Sequence, residues 1–535
     1  MYKLELESKK SLVLVLAIII ISSFFLKLYT IDFSVSEIQD TWIYVLRGIA
    51  FSNGDYAESP IKPSGYPLIL SFFFKIFEPE NFVDYVNIAR VLNIIISSAT
   101  IFPLYLLGRH FLDKKFSLLL SFFFAFQPQL NFNDGLGISE PIFLLFLILS
   151  YHFLLKSNSK YSNFLSFSFL GLLFWIRFTG LLFIIPLIIC HFILHRDVKN
   201  LILCTILCLL IISPIMVMRN DQYGNPLFFS GVGGGDRESL IPEKLDMDWF
   251  VFSIVNLFTA FGTMSLPHLI FLLPLGILSF KIIPPNTRKI FFPTLILFLM
   301  TFLPLLIQYS IDNSARPLYH LYPFMMIFSA LFLYSFYKFE SNFFTVKNKK
   351  IIISLIIIFI ISSSVLITVG IGDYGYGKKD VKKLNELFEY NTFLLDNIDG
   401  NLFWSKGESA RWMNIAMIEG SNQSFKNYKI DTTIGFDVYN ISSLKEYYPT
   451  NLNLIFKTDS DSIDSFLDEI IQLDIKYLSI GEKNQHVFLD EIFENESKFP
   501  FLKKTFDSNE RGFKDYNVKL FEIDIIKLKN SQNGI

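Results

Sequence analysis

Charged residues and a turn-rich segment lie just beyond the first long apolar run, where they could do chemistry beside a membrane. Asp40 follows that run, and residues 62–67 (KPSGYP) form a polar segment stiffened by proline and glycine. A carboxylate within hydrogen-bond reach of a hydroxyl group can accept its proton as a general base. Asp40 is therefore the candidate base, with Glu37 and Asp32 as competitors. The alternative is an interfacial acid that simply faces water.

A second candidate acid opens a later apolar run, in the sequence Ser139-Glu140-Pro141. An ionisable residue that enters the hydrocarbon region is costly and is usually retained for a partner or a function. Glu140 could therefore orient a substrate or ligate a divalent cation, and Asp134 is close enough in sequence to share that task. A plain helix start is the alternative, because proline is common in the first turn of a helix.

Three arginines are predicted to lie at the outer boundary of the membrane: Arg177, Arg219 and Arg316. Loops on that side usually carry few basic residues, so each arginine needs a compensating partner. A lipid-linked phosphate is suitable, because guanidinium presents a planar fork of donors to phosphate oxygens. Snorkelling to lipid headgroups or pairing with an acid is the alternative. The candidate acids are Asp221, Asp236 and Asp312, and the secondary candidates for the anion site are Lys62 and His320.

The composition indicates a multi-pass membrane protein. The chain has 535 residues, of which 52% are hydrophobic, 17% aromatic and 18% charged, and its mean hydropathy is +0.44. These values exceed what an ordinary soluble domain carries. A net charge of −2 and a pI near 6.4 give no general attraction to nucleic acid. We therefore expect membrane lipids, and no nucleic acid, among the partners.

Eleven apolar runs approach the roughly 20 residues that a bilayer-spanning helix needs. With the N-terminus in the cytoplasm, the lysine- and arginine-rich connections fall on the cytoplasmic side. The predicted outer loops are residues 30–87, 131–137, 218–264 and 308–317. The predicted runs are residues 11–29, 88–107, 116–130, 138–155, 161–176, 179–194, 200–217, 265–281, 290–307, 318–337 and 351–369.

Residues 371–535 are predicted to form a separate domain, since the composition after position 370 becomes polar and mixed in charge. Residues 452–457 and 475–480 are predicted to be strands, and residues 462–473 an amphipathic helix. This alternation predicts an α/β fold. With eleven spans and a cytoplasmic N-terminus, the domain is expected to be extracytoplasmic, and residues 1–370 form the transmembrane domain.

Several motifs of other protein classes are missing from the sequence. Residues 231–236 (GVGGGD) are not followed by Gly-Lys-Ser/Thr, which excludes a nucleotide P-loop and favours a flexible loop. No His-Glu-x-x-His spacing occurs, so a zinc protease is not supported. The cysteines, which all lie in apolar runs, are predicted to be buried thiols; they are Cys190, Cys204 and Cys208.

The order of the polar motifs resembles the GT-C glycosyltransferases that use polyprenyl-phosphate sugars, particularly the protein mannosyltransferase and aminoarabinose transferase-like superfamily. The motifs are Asp40 to Tyr44, residues 62–67, Glu140 before proline, residues 175–180 (WIRFTG), residues 218–220 with 223–226, and Arg316. The resemblance covers about residues 10–370. It implies an α-helical polytopic fold of the GT-C type, here with about eleven transmembrane helices and the C-terminal α/β domain.

The resemblance also implies roles for individual residues. Asp40 matches the catalytic aspartate of the first outer loop, and Tyr44 completes the Asp-x-x-x-Tyr spacing. Glu140 matches the second acid, as a catalytic, positioning or metal-binding residue. Arg316 matches a phosphate-binding arginine, although the usual Arg-Tyr is Arg316-Pro317 here. The expected substrate-binding residues are Lys62, Tyr66, Arg177, Arg219, Arg316 and His320.

The implied reaction is the inverting transfer of a single sugar from a polyprenyl-phosphate donor to a glycan, lipid or protein acceptor on the outer face. No cofactor is certain, and the one candidate is a divalent metal cation at Glu140. The Trp-Trp-Asp-Tyr-Gly signature of oligosaccharyltransferases is absent, which counts against en bloc transfer to asparagine. The alternatives are a transporter or lipid flippase, or a sugar-binding membrane protein without catalysis. Clustering of the acids and arginines at one face favours surface chemistry.

Overall fold

The computed structural model describes most of the chain. The described residues are 9–31, 33, 40–56, 62–156, 160–224, 247–302, 304–305, 316–339, 345–368, 378–405, 451–455, 458, 460–482, 484 and 486–533.

Helices make up the transmembrane part of the chain. Short 3-10 helices occur at Phe178–Phe183 and Arg316–Leu321. The helices are α1 Lys9–Tyr29, α2 Asp40–Ser52, α3 Gly65–Phe77, α4 Phe82–Gly108, α5 Lys114–Ala125, α6 Pro128–Asp134, α7 Glu140–Leu155, α8 Lys160–Ile176, α9 Ile184–His195, α10 Val198–Tyr223, α11 Met247–Ser265, α12 Leu269–Leu278, α13 Pro285–Phe302, α14 Tyr322–Lys338 and α15 Val346–Leu366.

Where the structure describes them, all eleven predicted apolar runs fall mainly on helical structure, but fewer stretches have the length of a full span. Among the described residues, six helical stretches are long and apolar enough to cross a membrane, or seven if the bent pair Trp249–Ser265 and Leu269–Lys281 is one span. The two helices of that pair meet at 103°. Other apolar helices, including Glu140–Leu155, are shorter. Charged residues border these short helices: Glu140 and Lys156 at the ends of α7, and Lys160 and Arg177 at the ends of α8.

Segments that the sequence analysis treated as loops also contain helices. Helices α2 and α3 have 13 residues each and lie within residues 30–87, while α11 has 19 residues, of which all but Ser265 lie within residues 218–264. A helix of 13 residues is about 20 Å long, which is too short to span a bilayer. Helices α2 and α3 are therefore not detected as runs of spanning length. Helix α2 is nevertheless important, because it begins at the candidate base Asp40. The membrane side of these segments stays a prediction.

The C-terminal residues form a five-stranded mixed sheet, as the predicted α/β fold requires. The strand order is β2-β1-β3-β5-β4; β1 pairs in parallel with β2 and β3, and β5 pairs antiparallel with β3 and β4. The elements are α16 Lys378–Asn397, β1 Asn401–Trp404, β2 Asn453–Ile455, α17 Ile463–Gln472, β3 Ile475–Gly481, α18 Val487–Glu494, β4 Leu502–Asp507, β5 Val518–Ile523 and α19 Ile525–Asn533.

The predicted elements of this sheet are confirmed. The two predicted strands appear as β2 and β3, and the predicted helix is α17, whose N-cap residue Ser462 accepts a hydrogen bond from the backbone of Ser465. Side chains alternate between the faces of the sheet. Leu402 and Trp404 of β1 pack into one hydrophobic cluster, and Phe403 between them packs into a second. Both faces of the sheet are therefore covered.

Close packing of α12 against α14 gives a direct test of the helical fold. A Cβ atom at Gly276 of α12 would overlap the carbonyl group of Phe328, whereas one at Gly262 of α11 would meet nothing within 4 Å. We expect Gly276→Ala to cost about 1–3 kcal/mol, because the helices must separate. Gly262→Ala, the matched control, should be neutral or stabilising, since alanine favours the helix. Thermal unfolding in detergent compares the two; equal midpoints would contradict this packing.

Candidate functional site: a carboxylate shared by two arginines

Glu140, Arg177 and Arg316 form a compact ion cluster. Arg177 Nη1 lies 2.5 Å from Glu140 Oε1, and Arg316 Nε donates a hydrogen bond to the same oxygen at 2.6 Å. The Glu140 side chain is 4% exposed, whereas the two arginines are 21% and 20% exposed. A carboxylate that is this deeply buried needs such charge-assisted partners, because burying an unpaired charge is very costly.

Breaks between helices bring the three residues together. Glu140 is the first residue of α7, where the helix dipole favours a negative charge. Arg177 is the N-cap residue of the 3-10 helix Phe178–Phe183 and follows the end of α8. Arg316 is the first residue of the 3-10 helix that leads into α14. Each side chain therefore projects from a helix end, close to polar backbone groups.

The ion cluster lines a pocket with one polar side and one apolar side. His320 is buried, its ring packs edge-on against Phe183 at 5.3 Å, and its Nε2 has no hydrogen-bond partner among the described residues. The pocket can therefore offer both charged and neutral donors to an anion that carries an apolar tail. Its lining comprises Glu140, Phe143, Leu144, Arg177, Thr179, Arg316, Pro317, Tyr319 and His320.

Helix α2 is attached beside this pocket at its N-terminal end. Asp40 is the first residue of α2, and only its backbone is described. Glu37 and Asp32 lie outside the described residues. The next residue, Thr41, donates a hydrogen bond from Oγ1 to the carbonyl of Leu136 at 2.5 Å. The start of α2 is thus held against the segment that leads into α7.

Tyr44 makes the second link between α2 and α7. Its hydroxyl group lies 2.9 Å from the Oγ of Ser139, the residue before Glu140. The Tyr44 ring packs edge-on against Tyr66, whose hydroxyl donates to Asn93 Oδ1 at 2.8 Å. Lys62 Nζ lies 6.0 Å from the centre of the Tyr44 ring. Tyr44, Lys62 and Tyr66 therefore form one group beside the pocket, and none of them lines it.

Arg47 was missed by the sequence analysis, yet it positions the KPSGYP segment. It is fully buried on α2 and donates to the carbonyl of Lys62 at 2.6 Å, to that of Pro63 at 3.2 Å and to Ser64 Oγ at 2.7 Å. Its signal in the sequence is a charge inside the apolar stretch WIYVLRGIAF. Such a charge usually has a fixed partner.

Arg219 lies away from the pocket lining. It is buried in α10, and its guanidinium group stacks over the ring of Phe178 at 4.4 Å, a cation–π contact. Of its candidate acidic partners, Asp221 belongs to α10, while Asp236 and Asp312 lie outside the described residues. For Arg177 and Arg316, the compensating acid is Glu140, a pairing that the sequence analysis did not anticipate.

Asp134 is engaged elsewhere and does not line the pocket. Its Oδ2 lies 3.0 Å from Lys27 Nζ of α1 and accepts a hydrogen bond from Ser97; the Lys27 and Asp134 side chains are 0% and 1% exposed. Burial raises the pKa of the Asp134 carboxyl, and Lys27 and Ser97 act in the opposite direction. Lys27 lies inside the predicted apolar run 11–29, and its buried charge was not anticipated from the sequence.

The described residues do not fit a metal site at Glu140. No group of three or more His, Cys, Asp or Glu side chains that could hold a metal ion occurs among them. Glu140 Oε1 accepts a hydrogen bond from Arg316 Nε and lies 2.5 Å from Arg177 Nη1, and the positive charge of both guanidinium groups would repel a divalent cation. No step of the reaction is therefore assigned to a metal here.

Two solved structures have a fold similar to that of this chain. The Archaeoglobus fulgidus oligosaccharyltransferase, tethered with an acceptor peptide containing the NVT sequon, aligns with a TM-score of 0.58 at 14% identity over 89% of this chain and 69% of that chain. ArnT from Cupriavidus metallidurans, bound to undecaprenyl phosphate, aligns with a TM-score of 0.51 at 10% identity over 95% and 97%. At these identities the likeness shows the fold alone.

A family match agrees with this fold. Residues 61–218 match the family model described as dolichyl-phosphate-mannose-protein mannosyltransferase. A search of curated proteins finds no significant match. Together, the fold and the family match over residues 61–218 confirm the predicted resemblance of this multi-pass membrane protein to the GT-C glycosyltransferases. The matched segment includes residues 62–67, Glu140 and Arg177.

The buried Lys27–Asp134 pair yields a test of how α1 is held to α6. Lys27→Met should destabilise the protein by about 3–5 kcal/mol, because it leaves a buried carboxylate without its cation. The double variant Lys27→Met/Asp134→Leu should recover most of that loss, since both charges are then gone. SDS-induced unfolding in mixed micelles reports the difference. If the double variant were as unstable as the single one, the pair would not be the source of the cost.

Proposed function

We propose that the protein transfers a single sugar from a polyprenyl-phosphate-linked donor to an acceptor on the outer face of the membrane, with inversion at the anomeric carbon. One observation carries the proposal. A pocket with two arginines on a buried carboxylate lies beside the N-terminal end of the helix that Asp40 begins. Phosphate ligands and a candidate base are thus attached to neighbouring segments, as a displacement at a sugar–phosphate bond requires.

Arg177 and Arg316 are assigned to the donor phosphate. Guanidinium groups bind phosphate oxygens in a planar fork and stabilise the charge that develops on the leaving group. Lipid-linked carriers are supported by proteins of similar fold: AglB from Archaeoglobus fulgidus was solved with a dolichol-phosphate, at a TM-score of 0.55 and 14% identity over 88% of this chain and 69% of that chain. The apolar pocket wall of Phe143 and Leu144 suits the first units of such a lipid.

Asp40 is assigned as the general base. The acceptor hydroxyl oxygen attacks the anomeric carbon, and its proton passes to the Asp40 carboxylate. The bond between the anomeric carbon and the phosphate oxygen breaks, and that oxygen keeps the electron pair. Attack from the side opposite the phosphate inverts the configuration. Thr41 and Tyr44 hold α2 in place for this step through Leu136 and Ser139.

The remaining predicted residues are assigned to supporting roles. His320 supplies a neutral donor from the pocket wall, and Lys62 and Tyr66 lie on the α2 side, where the acceptor would approach. Arg219 supports the 3-10 helix after Arg177 through its stacking on Phe178. The acceptor is a glycan, lipid or protein, and the C-terminal sheet domain is proposed to lie on the same outer side and to contribute to its recognition.

Two matched substitutions test the base. Asp40→Asn should lower the transfer rate by about 10²–10⁴-fold, because the amide cannot accept the proton. Glu37→Gln, the same change in the competing acid, should leave the rate near that of the unaltered protein. The measurement is turnover of a radiolabelled polyprenyl-phosphate sugar by purified protein in lipid nanodiscs. If Asp40→Asn transferred sugar at an undiminished rate, the assignment of the base would be wrong.

A second pair of variants tests the phosphate ligand. Arg316→Gln should weaken binding of a polyprenyl phosphate by about tenfold or more, since a charge-assisted hydrogen bond contributes about 1.5–3 kcal/mol. Arg196→Gln, at an exposed turn after α9, is the control and should bind as the unaltered protein does. Equilibrium binding of fluorescent undecaprenyl phosphate measures both. Equal affinities for the two variants would exclude Arg316 as a phosphate ligand.

A further inference from the structure

The charge of the lipid headgroup changes during the proposed reaction. The donor is a phosphodiester that links sugar and lipid, and it carries one negative charge. The product is a phosphomonoester, which carries about 1.5 to 2 negative charges at neutral pH. A site built only from arginines would therefore hold the product more tightly than the donor, and slow release would limit turnover.

Glu140 lies where it can correct this imbalance. Its Oε1 lies 2.5 Å from Arg177 Nη1 and 2.6 Å from Arg316 Nε, on the two guanidinium groups that are proposed to meet the phosphate. Phosphate bound to both arginines must displace the carboxylate or lie next to it. In either case the two anions repel each other, and with the Glu140 side chain only 4% exposed, water screens that repulsion weakly.

We propose that Glu140 competes with the lipid phosphate for Arg177 and Arg316 and thereby promotes release of the product. This competition weakens binding of the phosphomonoester product more than binding of the phosphodiester donor. This inference rests on the proposed function. Repulsion from Glu140 scales with the charge of the ligand, so it acts most strongly on the lipid phosphate that remains after transfer. Glu140 is then a residue for product release, distinct from the base and from a metal ligand.

The opposite role predicts the opposite sign. If Glu140 served to hold the two arginines in the geometry that binds phosphate, its removal would loosen them and weaken binding of every phosphate ligand. If it competes with phosphate, its neutralisation strengthens binding, and the gain is larger for the monoester. A loss of folding cannot mimic a gain of affinity, so the sign separates this role from a merely structural one.

The test uses the full-length protein in nanodiscs, with undecaprenyl phosphate as the monoester and its methyl ester as the diester. Glu140→Gln should bind the monoester at least about tenfold more tightly than the unaltered protein, with a smaller gain for the diester. Its steady-state turnover should fall, while a single turnover of bound donor is affected less. Glu140→Asp should restore monoester affinity toward that of the unaltered protein. Glu80→Gln, an exposed control, should change neither affinity.

A measurement on the unaltered protein covers the case in which Glu140→Gln does not fold. The proposal predicts that the unaltered protein binds the monoester no more tightly than the methyl diester, despite the additional charge. If the unaltered protein bound the monoester tenfold more tightly than the diester, the role of Glu140 would be overturned. The same would follow if Glu140→Gln bound the monoester as tightly as the unaltered protein does, or more weakly. If neither the unaltered protein nor any variant bound either lipid, the proposed function itself would fail.

Discussion

The arrangement of the site depends on one buried carboxylate that two guanidinium groups share. Glu140 opens α7, Arg177 follows α8, and Arg316 precedes α14, so a single oxygen atom joins three helix ends that are far apart in the chain. The cluster can persist at the edge of an apolar bundle because its charges largely compensate one another. It still carries one excess positive charge from its three members, which makes it an anion site.

The candidate base depends on the same cluster, although it belongs to a different helix. Helix α2 is held beside the pocket by Thr41 and Tyr44, which contact Leu136 and Ser139 in the segment before Glu140. Arg47 continues these contacts along α2 and binds the KPSGYP segment. A shift of α7 would therefore move the start of α2 as well. This coupling connects the ion cluster to the helix that begins at the proposed base.

Part of this arrangement could be predicted from the sequence. Apolar runs located the helices, and strand and helix patterns between positions 452 and 480 located β2, α17 and β3. Charges at the ends of apolar runs pointed to Glu140, Arg177 and Arg316. The apolar runs did not show that some helices are too short to span a bilayer. They also gave no sign that α2 and α3 are helices. A single sequence gives no indication of which distant residues pair with each other. The Glu140 cluster and the Lys27–Asp134 pair could therefore be identified only in the structure.

The most direct measurement is a structure of the protein in lipid with a non-hydrolysable phosphonate analogue of a polyprenyl-phosphate sugar. The account predicts that the phosphonate lies within hydrogen-bond distance, about 3 Å, of both Arg177 and Arg316. It also predicts that the Asp40 carboxylate faces the anomeric carbon from the side opposite the phosphonate. A lipid phosphonate bound away from the two arginines, with Glu140 still joined to both, would contradict the account.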